Sequence, residues 1–244
     1  MRRYRFGRLK IAAVLLSALI LPCTSYAKAS HTGGRTVDTV KFDIAGLHLG
    51  MSGDQILDIL IARFKPGWND LYCNGCTINY SDTITPEKHS IECDADNSKF
   101  AVADEPYIML TMQQKVRIWV RFYHANGRNT GPCIAHNILY AEAGFIPERD
   151  RAPFRAKVLA KYGPPSYTRE HSWSGYDDFF WCQKIDRSMG PDECDRDQSS
   201  LSATIDDNVL GTAATVMTLS DPRGRNGAIK RRELEDTPAP AMRF

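Results

Sequence analysis

The chain has 244 residues, with 31 Lys and Arg against 29 Asp and Glu, and a formal net charge of +2. Arg2, Arg3, Arg5, Arg8 and Lys10 supply five of the positive charges, and without that segment the remainder carries −3. A chain so balanced lacks the clustered cationic surface that counterion release demands, which excludes nucleic acid as an expected partner.

The basic start leads into an apolar run from Ile11 to Leu21 and a small-residue exit at Ser25-Tyr26-Ala27, the three parts of a secretory leader. Residues 1–27 are therefore expected to be removed after Ala27, leaving a periplasmic or secreted protein. The apolar run, about eleven residues, is too short for the roughly 20 of a membrane-spanning helix, and no later segment replaces it, so no transmembrane span is expected in the mature chain. Cys23 follows the run as an acylated lipoprotein cysteine would, but Pro22 stands where that signal wants a small residue.

Six cysteines then remain: Cys73, Cys76, Cys93, Cys133, Cys182 and Cys194. An even number in an oxidising compartment predicts three disulfides. Cys182 and Cys194 flank a polar loop containing Gly190-Pro191 that can return one strand end to another, so they are expected to pair, with the other four closing among themselves. Closing so short a loop contributes about 3 kcal/mol in the chain-entropy account.

Residues 28–36 read as a flexible lead-in around Gly33-Gly34. Asp38 to Ile44 alternates as a strand. Ser52 with Gln55 spells a capping box, and Ile56, Leu57, Leu60, Ile61 and Phe64 give one helical apolar face stopped by Pro66-Gly67. The period then changes to two, predicting strands at Thr77–Tyr80, His89–Cys93, Tyr107–Gln113, Val116–Tyr123 and Ile134–Tyr140. A second helix carries Phe154, Val158, Leu159 and Tyr162 and stops at Gly163-Pro164-Pro165. Strands follow near Tyr167–Trp173, Asp178–Cys182, Leu201–Ile205 and Ala214–Leu219. The expected fold is α+β, disulfide-stapled, in two helix-plus-antiparallel-sheet units covering 37–145 and 146–221. The two helical faces share their spacing at an offset of 98 residues, which reads either as a tandem repeat or as the period any two amphipathic helices share. From Pro222 the chain is rich in Gly, Pro and charge, so 222–244 is expected to be a disordered tail.

Gly50-Met51-Ser52, with Gln55-Ile56 and Leu60, resembles a short pattern of the SmpA/OmlA-like and β-lactamase inhibitory protein-like bacterial envelope proteins. Lys161-Tyr162-Gly163-Pro164-Pro165 resembles a second phrase recurrent in secreted bacterial proteins. The likeness covers about 20 residues of the first half and a handful of the second. It implies a helical element on a small antiparallel sheet, repeated in tandem in the inhibitor, and a protein-binding role without catalysis. The chain departs from the lipoproteins in lacking a good acylation site.

Candidate chemistry is sparse. Cys73-Asn74-Gly75-Cys76 is a CxxC, but a redox pair wants its first thiol at a helix N-terminus, whereas Asn-Gly predicts a turn. Cys73, Cys76, Cys133 and His136 have usable zinc spacing, though disulfides explain the same sulfurs. Asp94, Asp96, Ser98 and Glu105 fall on calcium-loop positions, with Lys99 where the loop wants glycine, so a polar loop is expected. His31, His89 and His171 have no nucleophile-elbow serine nearby. Phe244 ends the chain as in outer-membrane barrels, but Pro238 and Pro240 break the strand such a signal needs. No catalytic residue, metal ligand or cofactor is assigned.

Binding has better candidates. Along Val116–Tyr123 the period of two puts Arg117, Trp119, Arg121 and Tyr123 on one face, residue types that dominate recognition hot spots. The alternative is Trp119 covering the sheet edge between solvated arginines. Trp173 and Tyr176 are the exposed candidates of the aromatic group that includes Phe179, Phe180 and Trp181. These features describe a non-catalytic protein-binding or inhibitor-like module for an envelope protein, with a thiol–disulfide or metal-dependent enzyme and a structural envelope component as the alternatives.

Overall fold

The structure, a computed structural model, describes residues 29–30, 35–79, 90–93, 105–113, 115–125, 132–142, 148–171, 176–186, 193–205 and 215–236. In chain order the first half supplies β1 (Ala29–Ser30), β2 (Asp43–Ile44), β3 (Leu47–His48), α1 (Gly53–Phe64), β4 (Leu71–Asn74), β5 (Cys76–Asn79), β6 (Ser90–Cys93), β7 (Tyr107–Met112), β8 (Val116–His124) and β9 (Cys133–Glu142). The second supplies α2 (Glu148–Tyr162), β10 (Tyr167–His171), β11 (Tyr176–Cys182), β12 (Ile185–Asp186), β13 (Glu193–Cys194), β14 (Ser200–Ile205), β15 (Thr215–Ser220) and α3 (Pro222–Asp236). Among the described residues no helix is long and apolar enough to cross a membrane.

Local chemistry accounts for the helix ends. The Ser52 hydroxyl accepts the Gln55 N–H at 3.3 Å and the Gln55 side-chain carbonyl accepts the Ser52 N–H at 2.9 Å, so α1 begins where its sequence says. It stops at Lys65, whose left-handed backbone (φ 47°) returns its N–H to the Ile61 carbonyl. α2 stops at Gly163 (φ 75°), which bonds back to Leu159. The β2–β3 hairpin turns on Ala45 and Gly46, both at positive φ, with the Asp43 carboxylate holding the Gly46 N–H at 2.8 Å. That hairpin fastens to α2: Lys161 reaches the Asp43 carboxylate at 2.8 Å and the Tyr162 hydroxyl donates to the Asp43 carbonyl at 2.6 Å.

One nine-stranded antiparallel sheet runs β1-β10-β11-β14-β15-β9-β8-β7-β4. β9 and β15, the last strand of each half, pair at its centre from Asn137–Ser220 to Glu142–Thr215. Period-two alternation sends Ile108, Leu110, Ile118, Val120, Phe122, Ile138, Phe179, Trp181, Leu201 and Leu219 to one face, where all are buried. They meet Ile56, Leu57 and Leu60 of α1 and Val158 and Tyr162 of α2 in a single core. Trp181 buries its ring there and still satisfies its indole N–H, on the Gly163 carbonyl at 3.0 Å.

Three cysteine pairs stand at disulfide distance, with Cα separations of 5.6 Å for Cys73–Cys76, 6.0 Å for Cys93–Cys133 and 5.0 Å for Cys182–Cys194. Cys182–Cys194 fastens the small β12–β13 ribbon to the end of β11. Cys93–Cys133 ties β6 to β9.

Several expectations need correction. The strand expected at Thr77–Tyr80 stands as β5, Cys76–Asn79, with Tyr80 outside the described residues; among the described residues it pairs with β6 in a separate ribbon, because β4, a strand the periodicity does not announce, takes the place beside β7. Asp38–Ile44 holds a 3-10 turn over Thr39–Lys41, with strand only at Asp43–Ile44, since the Phe42 N–H returns to the Thr39 carbonyl at 3.1 Å instead of pairing across a ladder. Within the lead-in, Ala29 and Ser30 pair with Arg169 and Thr168. The disordered tail is a helix as far as Asp236: Asp221 accepts the Arg223 N–H at 3.1 Å as an N-cap does, Pro222 occupies the first turn, and Ala228 is buried. Residues 237–244 lie outside the described residues.

Leu60 is fully buried between α1 and the sheet, so Leu60→Ala is expected to cost about 2–5 kcal/mol of unfolding free energy. Urea denaturation of the oxidised protein checks this, with an unchanged midpoint overturning it.

Candidate functional site

The face of the sheet turned away from α1 and α2 is set by the same alternation that builds the core. In β8, Ile118, Val120 and Phe122 are buried while Arg117 and Arg121 are exposed and Trp119 is half-buried. Register extends that arrangement across eight strands: Tyr72–Met109, Met109–Trp119, Trp119–Leu139, Leu139–Thr218, Thr218–Ser202, Ser202–Phe180 and Phe180–Tyr167 are all direct partners. The result is one transverse row, roughly 34 Å long at the usual interstrand spacing. It is aromatic and apolar at both ends and hydroxyl-bearing in the middle.

Arg117 and Arg121 sit above and below Trp119 on the same strand, opposite Thr111 and Tyr107. Tyr72, 50% exposed on the sheet's terminal strand, closes this end, its ring 6.1 Å from that of Tyr107. At the other end Phe180 stacks on Tyr167 with centroids 4.4 Å apart, and the Arg169 guanidinium lies 5.6 Å from the Phe180 centroid. Asp178, beside Arg169, accepts a hydrogen bond from the Thr204 hydroxyl at 2.7 Å. The sheet strands thus bring Arg117, Arg121, Arg169 and Asp178 to this face, and the Glu193 carboxylate of β13 lies near Tyr167 at its β10 end.

Tyr123 belongs to a different environment from its three companions. A bulge between Arg121 and Phe122 pairs Arg121 with Asn137 but Phe122 with Ala135, leaving His136 as the extra residue of β9. His136 is buried, its ring edge-on to Tyr123 at 6.0 Å and its Nε2 3.1 Å from the Glu105 carboxylate. α3 covers this corner. Arg225 pairs with Glu105, Gly224 packs so close to the Tyr123 phenol that a Cβ there would collide with it, and Arg231 donates to the Ala125 carbonyl at 2.9 Å. The Asp221 N–H reaches the His136 carbonyl at 2.8 Å. Tyr123 therefore anchors α3 and is not part of the open stripe.

Of the other expected binding residues, Trp173 lies outside the described residues, and Tyr176 opens β11 with its side chain undescribed. The sequence reading missed Tyr72, Met109, Leu139 and Arg169, which join the row only through register, and it named Phe180 in the aromatic group without placing it among the exposed candidates. The zinc alternative separates in space: Cys73 bonds Cys76 and Cys133 bonds Cys93, while His136 is held by Glu105 and Tyr123 under α3. Of the calcium-loop candidates, Asp94, Asp96 and Ser98 lie outside the described residues, and Glu105 is engaged by His136 and Arg225.

No family model matches the sequence, and no curated protein and no solved structure matches it.

The α3 corner has a pH signature. Burial alone raises the Glu105 carboxyl, but the hydrogen bond and charge of His136, with Arg225, outweigh it and hold Glu105 below its ordinary 4.5. Burial likewise raises Asp221, and the Arg223 hydrogen bonds outweigh it, holding it below 3.8. A depressed folded-state value means stabilisation that is complete above the unfolded value and is lost as pH falls through the folded one. Amide exchange in α3 should accordingly accelerate as pH drops below 4.5, ahead of α1, after correction for intrinsic rates. Glu105→Gln should loosen α3 at neutral pH, and equal protection of α3 in both proteins would contradict this account.

Proposed function

We propose that this chain is a non-catalytic protein-binding module of the bacterial envelope, inhibitor-like in mode, and that the open sheet face is its recognition surface. The observation that carries the reading is the transverse row with Trp119 framed by Arg117 and Arg121. A tryptophan between arginines on a strand is the composition of an interface hot spot, and exposed Tyr72 with half-buried Phe180 adds aromatic area, the Tyr167 ring being buried beneath its neighbours. Thr218 and Ser202 supply hydrogen-bonding groups between them at little conformational-entropy cost.

Charge selects the partner. The face is cationic although the chain after Ala27 carries −3, so the partner it fits is a protein presenting Asp and Glu around an apolar centre. Export with removal of residues 1–27 belongs to the same proposal, supported by three cysteine pairs that suit an oxidising compartment. So does a tandem origin. Apart from β1, each half lays down a helix and then four strands of the large sheet in consecutive order, meeting at β9 and β15, as two copies of one unit related by a pseudo-twofold axis would.

A photo-crosslinking residue at Thr111, on the row's flank, compared with one at exposed Asp58 on α1, tests the reading in an envelope preparation. Crosslinks from position 111 alone, to a peptide rich in Asp and Glu, with capture weakened about tenfold or more by Arg117→Glu with Arg121→Glu, are expected. Equal capture from both positions, or indifference to charge reversal, would falsify it. Against the captured partner, Trp119→Ala should cost at least 2 kcal/mol, about thirtyfold in Kd. Arg117→Ala should chiefly slow association and flatten its salt dependence.

A further inference from the structure

Four of the six cysteines form a chain of neighbours. Gly75 (φ 64°) turns the chain from β4 into β5, and across that turn Cys73 bonds Cys76. Cys76 is in turn the direct partner of Cys93 across the β5–β6 ribbon, and Cys93 bonds Cys133. Opposed residues of an antiparallel pair have Cα atoms about 4.5 or 5.5 Å apart, and both values fall inside the range that a disulfide spans. The ribbon's register therefore puts Cys76 and Cys93 at a backbone separation that a disulfide can span.

We propose that these residues form an exchange relay, in which reduction of Cys73–Cys76 by an external dithiol is transmitted to Cys93–Cys133. Access and burial set the direction. Cys73 is partly exposed on β4, the terminal strand of the sheet, whereas Cys76 is buried at the ribbon's base. A thiolate of the dithiol attacks Cys73 Sγ, forming a mixed disulfide and releasing Cys76 as a thiolate. The Cys76 thiolate, held beside Cys93 by the ladder, attacks Cys93 Sγ; the Cys76–Cys93 bond forms, the Cys93–Cys133 bond breaks, and Cys133 leaves as a thiolate that takes up a proton. The second thiol of the dithiol resolves the mixed disulfide, returning Cys73 as a thiol. The dithiol is oxidised by two electrons, and the protein exchanges two disulfides for one disulfide and two thiols.

The structural consequence is specific. Cys93–Cys133 is the covalent tie between the β5–β6 ribbon and β9, and it sits against the first turn of α1. There a Cβ on Gly53 would lie 3.0 Å from Ile91 and 3.4 Å from Cys133. The Ile91 N–H also donates to the Asp54 carboxylate at 2.8 Å. After exchange the ribbon keeps a covalent rung of its own and its backbone link to β4 through Gly75, but it is held to α1 and β9 by non-covalent contacts alone.

Graded reduction of the folded, oxidised protein with dithiothreitol, acid quenching, thiol alkylation and tryptic mapping without further reduction tests the relay. Cleavage at Lys88 and Arg128 puts Cys73 with Cys76, Cys93 and Cys133 on three separate peptides. The expected singly reduced species links Cys76 to Cys93, with Cys73 and Cys133 alkylated. A singly reduced species with Cys73 and Cys76 alkylated and Cys93–Cys133 intact would overturn the relay. Cys73→Ser gives a second reading without reductant: the relay expects a Cys76–Cys93 bond with Cys133 as the free thiol, and a free Cys76 beside an intact Cys93–Cys133 bond contradicts it.

Discussion

Everything in this fold hangs on β9 having both of its edges satisfied. A strand buried in mid-sheet must find partners for every N–H and C=O it carries, and β9 finds them on β8 along one edge and, along the other, on β15 over Asn137–Glu142 and on Gly50–Ser52 nearer its start. Once that is so the halves cannot part without exposing a full row of backbone groups, and the side-chain parity of eight strands is locked to one reference. α1 and α2 then share a single core, and the Asp43 hairpin of the first half can clasp the end of α2 in the second.

Locking parity divides the sheet chemically. One face is spent on burial, at about 25 cal/mol for each Å² of apolar surface withdrawn from water. The other is left with side chains that need not be apolar and can carry arginine, hydroxyls and tryptophan together. The packing of the core face fixes the strand that holds Trp119 between its arginines, which in the proposed binding role would lower the ordering cost of contact. At the sheet's terminal strand, β4 is only four residues long and runs directly into the Cys73–Cys76 turn, which keeps that edge short.

Much of the architecture was legible where the signal is local. The capping box, the apolar face of α1, the parity of Val116–Phe122 and the pairing of Cys182 with Cys194 all follow from residues within a dozen positions of each other. What escaped depends on distance. β4 exists because β7 offers it a ladder, not because Leu-Tyr-Cys-Asn alternates in hydropathy. α3 has almost no apolar face and is fixed instead by Glu105, Tyr123 and His136, which lie far away in sequence; only Asp221-Pro222 marked its start. The members of the transverse row are individually unremarkable hydroxyl-bearing, aromatic and apolar residues on seven other strands, and register alone assembles them.

The bulge in β9 is a phase corrector. Toward its end Ile138 and Tyr140, at even positions, lie on the core side opposite Val120 and Ile118; toward its start Ala135 and Cys133, at odd positions, do so opposite Phe122 and His124. A strand without the extra residue could serve only one of these sets. His136 is the inserted beat that lets two out-of-step segments face the same way, and it is by that half-turn of the chain that the Cys133 sulfur comes to point at Cys93.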